Sequence, residues 1–127
     1  MPDRPDAPHL PRSAPIEAYG NGGFAFADMS HRGSLLCLPE AIWAWPVTAP
    51  EHINRASLDR VFASAKAIDT LIIGTGTGVW LAPSELRQAL RAVGVGLDTM
   101  QTGAAIRTYN IMMGERRRVA AALIAVL

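Results

Sequence analysis

The sequence predicts one layered α/β domain built around a mixed sheet, and three observations support this fold class. The 127 residues are 50% hydrophobic and only 18% charged, a balance found in chains that fold and bury a core. Extended segments separated by glycine-containing breaks fill the first half of the chain. In the second half helical and extended patterns alternate, which is typical of helices packed on a sheet.

Composition excludes several classes of protein. Twelve basic and eleven acidic residues give a net charge of +1, too little for a nonspecific nucleic-acid binder, so we expect no nucleic-acid partner. The single cysteine, Cys37, rules out an internal disulfide framework and fits a reducing compartment. The apolar run Val119–Leu127 is less than half of the about twenty residues that a membrane-spanning helix needs. We therefore expect a soluble cytoplasmic protein, with peripheral association to a membrane left open.

Residues 1–15 are expected to form a flexible tail, and residues 16–127 a single α/β domain. The tail contains five of the nine prolines and shows no apolar periodicity. It lacks the uninterrupted apolar stretch of a secretory signal, and it carries the acidic residues that transit peptides avoid.

Three segments rich in β-favouring residues follow the tail and predict a meander of about three strands. Their sequences are IEAY, FAFADM and SLLCL, and the intervening GNGG and SHRG are expected to form turns. Pro39 and Pro46 enclose a further apolar piece, AIWAW, which we interpret as a strand or edge segment because proline removes a ladder hydrogen bond.

Helices and strands alternate after this point. Ser57 is placed to cap a helix that extends to about Lys66, and TLIIG has the pattern of a strand buried on both faces. Pro83 suits the first turn of a second helix, which Gly94 ends. GVGLDTM predicts the next strand, a third helix begins with Thr102 as its cap and extends to about residue 114, and RRVAAALIAVL predicts a closing strand.

The glycine loop after TLIIG is the first feature that could carry chemistry. Loops of this kind, here with Gly74, Thr75, Gly76 and Gly78, let backbone N–H groups approach a phosphate. Asp98 follows twenty residues beyond Gly78, at the expected end of the next strand, where a ribose-binding acid would lie. The G-x-G-x-G spacing departs from the dinucleotide motif, so a tight turn at the strand exit is the favoured interpretation.

The third helix is apolar almost all round. One face carries Thr102, Ala105, Ile106, Tyr109 and Met113. Arg107 and Asn110 are therefore expected to lie partly buried and to need acceptors, with Asp98 and Glu115 nearest in sequence. An internal anchor is favoured over a ligand pocket, and the small residues Gly103 and Gly114 would allow another segment close approach.

No catalytic or metal-binding set stands out. The three histidines are scattered, Cys37 lies in an apolar strand, and Ser84 lacks the G-x-S-x-G elbow. Trp43 and Trp45 point to one side of a strand, where they either cover the core or form a partner surface. The run Arg116–Arg118 is expected to be a solvated turn, with an anion or acidic partner as the alternative.

Several of these segments together resemble a known family. They are Gly-Gly-Phe at 22–24, Leu-Pro at 38–39, Trp45, LIIGTG at 71–76, and the stretch from Thr102 through TYN to ERRRVAAAL at 115–123. They look like the small bacterial and archaeal relatives of mitochondrial complex I assembly factor 3. This resemblance implies a three-layer α/β domain with a central mixed sheet of about five strands. It also implies that eukaryotic relatives are noncatalytic helpers in building the respiratory NADH:ubiquinone oxidoreductase. Many relatives carry cysteine where this chain has Ile106, so a thiol there is not required.

Two classes of function remain. The favoured one is a noncatalytic binding or assembly module without a cofactor, in which the glycine loop, Arg107, Asn110 and the Trp43/Trp45 strand dock a protein partner such as a respiratory-complex subunit. The alternative is a small-ligand or anion-binding protein, or an enzyme of unknown reaction, with Arg107 as an anion clamp and the glycine loop as a cradle.

Overall fold

The structure is a computed structural model that describes residues 8–127. The helices are α1 (Asp59–Ala63), α2 (Ser84–Ala92) and α3 (Thr102–Gly114). The strands are β1 (Ala18–Gly20), β2 (Gly23–Phe26), β3 (Met29–Arg32), β4 (Ser34–Cys37), β5 (Ile42–Trp45), β6 (Thr70–Gly74), β7 (Gly96–Met100) and β8 (Val119–Leu123). Short 3-10 turns span Pro50–His52 and Ala65–Ala67.

A mixed sheet of five strands, in the order β5-β4-β8-β6-β7, forms the central layer. β6 runs parallel to both β7 and β8, whereas β4 runs antiparallel to β5 and β8. All five residues of β8 are buried, because small alanines let layers pack closely on both of its faces. The predicted closing strand, the buried TLIIG strand and the edge position of AIWAW are therefore confirmed.

Two apolar clusters lie on opposite faces of this sheet and make the molecule three layers thick. One face, with Leu36, Leu71 and Ile73, packs against α1 and α2. The other face, with Ile72 and Leu123, packs against α3 and the small sheet β1-β2-β3. The fold is thus the three-layer α/β domain with a five-stranded mixed sheet that the sequence and the resemblance predicted.

The amino-terminal meander exists, but its strands differ from those predicted. SHRG does not form a turn, because its residues contribute most of β3, which pairs with β2. The chain reverses instead at Ala27 and Asp28, which have φ values of 49° and 62°. SLLCL supplies β4 of the central sheet, since all four residues of β4 are buried and need cover on both faces.

Helix boundaries also depart from the predictions in detail. Ser57 does not cap α1, which begins after Leu58 and ends at Ala63, because the Ser57 side chain is engaged in a turn with Asn54. Pro83 lies at the cap position of α2, one residue before the helix. Gly94 follows the end of α2 with a φ of 80°, as a glycine terminator requires.

Parts of the segment 8–15 contact the domain, whereas Pro11, Arg12 and Pro15 are exposed. Leu10 forms an isolated antiparallel bridge with Ile42 on the edge of β5, and Ala14 is buried. The flexible tail over residues 1–15 stays a prediction, and residues 1–7 of it lie outside the described part.

Candidate functional site

The loops that follow β6 and β7 turn toward opposite faces of the sheet. The chain passes from β6 to β7 through α2 on one face and from β7 to β8 through α3 on the other. Open α/β sheets bind ligands at such a point, outside the carboxyl ends of their strands. We call the loop of residues 74–82 together with residues 101–103 the carboxyl edge. The glycine loop singled out in the sequence lies there.

Hydrogen bonds join the two loops of the carboxyl edge. The Thr75 N–H donates to the Met100 carbonyl at 2.8 Å. Thr102 donates its N–H to the Gly76 carbonyl, and its hydroxyl oxygen accepts the Gly76 N–H, both at 2.9 Å. The side-chain amide of Gln101 donates to the Thr77 carbonyl at 2.9 Å. The loops are thereby held together where a ligand crevice would open.

The Thr102 side chain was predicted to cap α3, and this prediction is wrong. The cap position belongs to Gln101, which makes no side-chain capping bond. The Thr102 hydroxyl is fully buried and donates to the Ile124 carbonyl at 2.8 Å while it accepts from Gly76. Thr102 therefore links the start of α3 to the glycine loop and to the segment after β8.

Two glycines of the loop are required by its geometry. A Cβ at Gly74 would lie 3.0 Å from both the Cα and the hydroxyl oxygen of Thr102, and 3.1 Å from a Leu123 methyl carbon. Gly76 has a φ of 83°, in the region that glycine adopts without strain. Gly78 has open space around it and makes no such demand. Close packing of the loop against α3 explains the first two glycines.

The anion-cradle interpretation finds no support in this geometry. The N–H groups of Thr75 and Gly76 donate to acceptors within the protein. The next helix, α2, begins only at Ser84, so its N-terminus does not directly follow the glycine loop. Asp98 is not at a strand end. It lies in the middle of the edge strand β7, opposite Ile72, and is exposed.

Asn110 proves to be an internal anchor, as the favoured interpretation had it, but with another acceptor. Its side-chain oxygen accepts the Ile16 N–H at 3.0 Å, and its amide donates to the Ile16 carbonyl at 2.8 Å. The sequence could not place this contact, since the two residues lie 94 positions apart. Arg107 is exposed, so the expectation that it is partly buried is wrong. Within residues 8–127, neither Asp98 nor Glu115 forms a hydrogen bond with the side chain of Arg107 or Asn110.

Tyr109 lies in the core beneath α3 rather than at a surface. It is 1% exposed and hydrogen-bonds to the Cys37 thiol. Burial raises the pKa of Cys37 from 9.0 to about 12, against the smaller lowering effect of the Tyr109 hydrogen bond. Burial also raises the pKa of Tyr109. The cysteine is thus protonated and enclosed at neutral pH.

Gly103 allows the close approach predicted for a small residue, but Gly114 does not. A Cβ at Gly103 would clash with the Tyr19 hydroxyl, which lies against α3 from β1. Gly114 faces open space.

The two tryptophans of β5 belong to the core cluster under α1 and α2. Trp45 is buried, and its indole N–H donates to the Ser57 carbonyl at 2.7 Å. Trp43 is only partly buried and carries the Arg60 guanidinium on its ring, with 3.4 Å from the Arg60 Cζ atom to the ring centroid. The core interpretation therefore fits Trp45, while Trp43 also borders a cleft.

Sequence reasoning missed the most exposed apolar residues of the carboxyl edge. Val79 is 90% and Leu81 is 80% exposed, and both follow directly on the immobilised glycine loop. The residues from Val79 to Ala82 separate the glycine loop from α2. Four consecutive apolar residues with neither a helical nor a strand period were the available signal.

The remaining polar candidates lie apart from this edge. Arg118 pairs with Asp69 at 2.6 Å, and hydrogen bonding to Arg118 lowers the pKa of that carboxyl. Arg116 and Arg117 are exposed. Among the described residues, no group of three or more histidine, cysteine, aspartate or glutamate side chains could hold a metal ion. Within the same part of the chain, no helix is long and apolar enough to cross a membrane.

The fold places the chain among small three-layer α/β domains, and in this chain hydrogen bonds between the two loops close the crevice between the strand ends. The chain belongs to the family described as protein of unknown function (DUF498/DUF598), whose profile matches residues 16–124. This result confirms the resemblance found in the sequence.

Individual relatives agree with this assignment. An uncharacterised protein of Rhodobacter capsulatus is 36% identical over 94% of this chain and 91% of its own length. The NADH dehydrogenase [ubiquinone] 1 alpha subcomplex assembly factor 3 of Xenopus tropicalis is 33% identical over 86% of this chain, which covers only 60% of that relative. A Rhodopseudomonas palustris protein solved by NMR has 68% identity and a TM-score of 0.84, covering 100% of this chain and 93% of its own.

Proposed function

We propose that this chain is a noncatalytic binding module that assists the assembly of a respiratory NADH:ubiquinone oxidoreductase and docks a subunit of it through the carboxyl edge. Relatives that are named as an assembly factor of that enzyme support the role. This chain covers only part of the length of those relatives. The exposed pair Val79 and Leu81 is the observation that carries the choice of surface.

The physical argument for this surface rests on exposure and rigidity together. Burial of the exposed Val79 and Leu81 side chains under a partner lowers the free energy of the system. A loop whose neighbouring segment is already fixed by Thr75, Gly76 and Thr102 loses little conformational entropy on binding. The carboxyl edge therefore combines an apolar contact with preorganisation, which a partner-binding surface needs.

The test is affinity capture from the native organism with the full chain as bait. We expect the unaltered chain to recover a respiratory-complex subunit and the variant Val79→Ser/Leu81→Ser to lose it. Ile111→Ser is the matched control, because Ile111 is an apolar residue of α3 that is 62% exposed outside this edge. Recovery of the same subunit by the double variant would refute the surface, and failure to recover any such subunit would refute the role.

A further inference from the structure

Five exposed arginines gather at the end of the molecule opposite the carboxyl edge. Because β6, β7 and β8 run parallel, the segments that lead into them, residues 67–69, 93–95 and 115–118, lie side by side. We call these segments, together with Arg87 and Arg91 of α2, which border the start of β7, the amino edge. The other three arginines form the run inside the last of these segments.

Positive charge is concentrated at the amino edge. Within it, only Asp69 and Glu115 offset the five arginines, so the edge carries a net charge of +3 in a chain whose total is +1. Lys66 and Glu40, which line the neighbouring cleft, add one charge of each sign. The rest of the chain is therefore net negative, and the amino edge is a local surface that attracts acidic groups.

Two of the five arginines have partners of their own. Arg118 contacts both carboxylate oxygens of Asp69, at 3.2 Å from its Nε and 2.6 Å from its Nη2, and so helps to hold the start of β6 against that of β8. Arg117 lies 3.9 Å from Glu115, and both side chains are more than half exposed. Such an exposed pair is weak and leaves the Arg117 guanidinium able to bind another carboxylate.

Two hollows contain the remaining arginines. One, of about 320 Å³, is lined by Arg87 and Arg91 beside the start of β7. The other, of about 230 Å³, is lined by the run 116–118 beside the starts of β6 and β8. Within residues 8–127, the side chains of Arg87, Arg91 and Arg116 form neither an ion pair nor a hydrogen bond. Because β7 and β8 flank β6, the two hollows are about 10 Å apart.

Arg116 occupies a backbone position that glycine would adopt at lower cost. Its φ of 62° lies in the left-handed region. Its N–H donates to the Met113 carbonyl at 2.9 Å, and the Arg117 N–H donates to the Met112 carbonyl at 3.0 Å, an arrangement that ends α3 and usually contains glycine. An arginine kept in such a conformation is typical of a side chain that has a function at that point.

We propose that the amino edge is a docking surface for an acidic segment of a partner protein, whose aspartate or glutamate carboxylates bind in the two hollows. The planar guanidinium of arginine holds a carboxylate through two parallel hydrogen bonds. Side chains on one side of an extended segment recur about every 7 Å, so acids two or four positions apart can reach both hollows.

The lining of the hollows favours a protein chain over other acidic partners. It contains no aromatic side chain in the described part of the molecule, and single-stranded nucleic acids need such side chains for base stacking. Separate hollows fit individual carboxylates, whereas a lipid surface presents its charges in a plane. The inference does not rest on the proposed function, because the amino edge lies at the opposite end of the parallel strands from Val79 and Leu81.

Fluorescence anisotropy of a labelled oligoglutamate peptide, mixed with the full chain at low ionic strength, tests this proposal. We expect the unaltered chain to bind the peptide. Arg116→Gly is expected to weaken binding about threefold without lowering the melting temperature, because glycine suits a φ of 62°. Arg87→Gln/Arg91→Gln is expected to weaken binding about tenfold. Arg32→Gln removes an exposed arginine just before β4, at the other end of the sheet, and is the matched control that binds like the unaltered chain.

Three outcomes would overturn the assignment. Absence of binding by the unaltered chain would show that the arginines do not form a site for acidic peptides. Equal weakening by Arg32→Gln and Arg116→Gly would show that only net charge matters. Tighter binding of phosphatidylglycerol vesicles or of polyuridine RNA, lost in the same arginine variants, would reassign the amino edge to a membrane or to a nucleic acid.

Discussion

A single buried hydroxyl joins three segments of the chain at the carboxyl edge. Thr102 accepts a hydrogen bond from the glycine loop and donates one to the Ile124 carbonyl, and water has no access to it. Removal of such a group leaves the Gly76 N–H and the Ile124 carbonyl without their partner in the interior. This oxygen atom therefore contributes to the rigidity of the edge together with the hydrogen bonds of Thr75, Gln101 and the Thr102 N–H.

Thr102→Val tests this dependence, because valine keeps the shape of threonine and removes the hydroxyl. We expect a loss of about 1–3 kcal/mol in the free energy of unfolding, measured by urea denaturation, and faster hydrogen exchange at the Gly76 amide. Thr108→Val is the control, since among residues 8–127 the Thr108 hydroxyl hydrogen-bonds only to the Met100 sulfur, at 3.6 Å. Equal stability of the two variants would contradict the role of Thr102.

Cys37 makes the free energy of unfolding change with pH in the alkaline range. Its pKa in the folded chain, about 12, lies above its ordinary value of 9.0, so the folded state holds the proton over that interval while the unfolded state releases it. Stability is therefore expected to fall as pH rises from about 9 toward 12. Cys37→Ala should flatten this slope relative to the unaltered chain in urea unfolding series at each pH. A slope that is the same in both proteins would contradict the assignment.

At the scale of elements, Asn110 fastens the segment before β1 onto α3. Both of its hydrogen bonds go to the backbone of Ile16, whose own side chain is buried in the cluster beneath α3. Ile16 thus lies against a helix, whereas Glu17 beside it donates its N–H to the Ala25 carbonyl of β2. Asn110 supplies the two backbone hydrogen bonds that a strand neighbour would otherwise provide.

Asn110→Ala is expected to cost about 1–2 kcal/mol and to lower the melting temperature, because both Ile16 backbone groups lose their partner. Arg107→Ala is the matched control on the same helix and should leave the melting curve within experimental error, since Arg107 is exposed. Calorimetry on both variants makes the comparison. An unchanged melting temperature for Asn110→Ala would show that the anchor contributes nothing.

The sequence predicted the helices and strands best where apolar periodicity is strong. TLIIG and the closing alanine-rich run became central strands because their residues fit only a doubly covered position. SHRG was misassigned because its polar residues suggest a turn, whereas they form a small, largely exposed strand beside β2. Propensity did not reveal the true turn at Ala27, which depends on a positive φ that alanine rarely adopts.

The site was less accessible to sequence reasoning than the fold, because its contacts join distant residues. Glycine spacing drew attention to the loop at the carboxyl edge and favoured a tight turn over a phosphate loop, but it could not predict the partners of the loop N–H groups. The Thr102 hydroxyl, 26 residues after Gly76 in the sequence, accepts the Gly76 N–H. A phosphate-binding loop would leave that N–H free for its ligand. The exposure of Val79 and Leu81 depends on how the loop leaves the sheet, which no local pattern encodes.

For the molecule as a whole, we propose that a rigid carboxyl edge with exposed apolar residues recruits a respiratory subunit. The most direct measurement is the amount of assembled NADH:ubiquinone oxidoreductase, seen on native gels, in cells of the source organism that lack this chain. We predict that the amount falls without the chain, returns with the unaltered chain or Ile111→Ser, and does not return with Val79→Ser/Leu81→Ser expressed at the same level. Normal assembly without the chain, or full restoration by the double variant, would contradict the account.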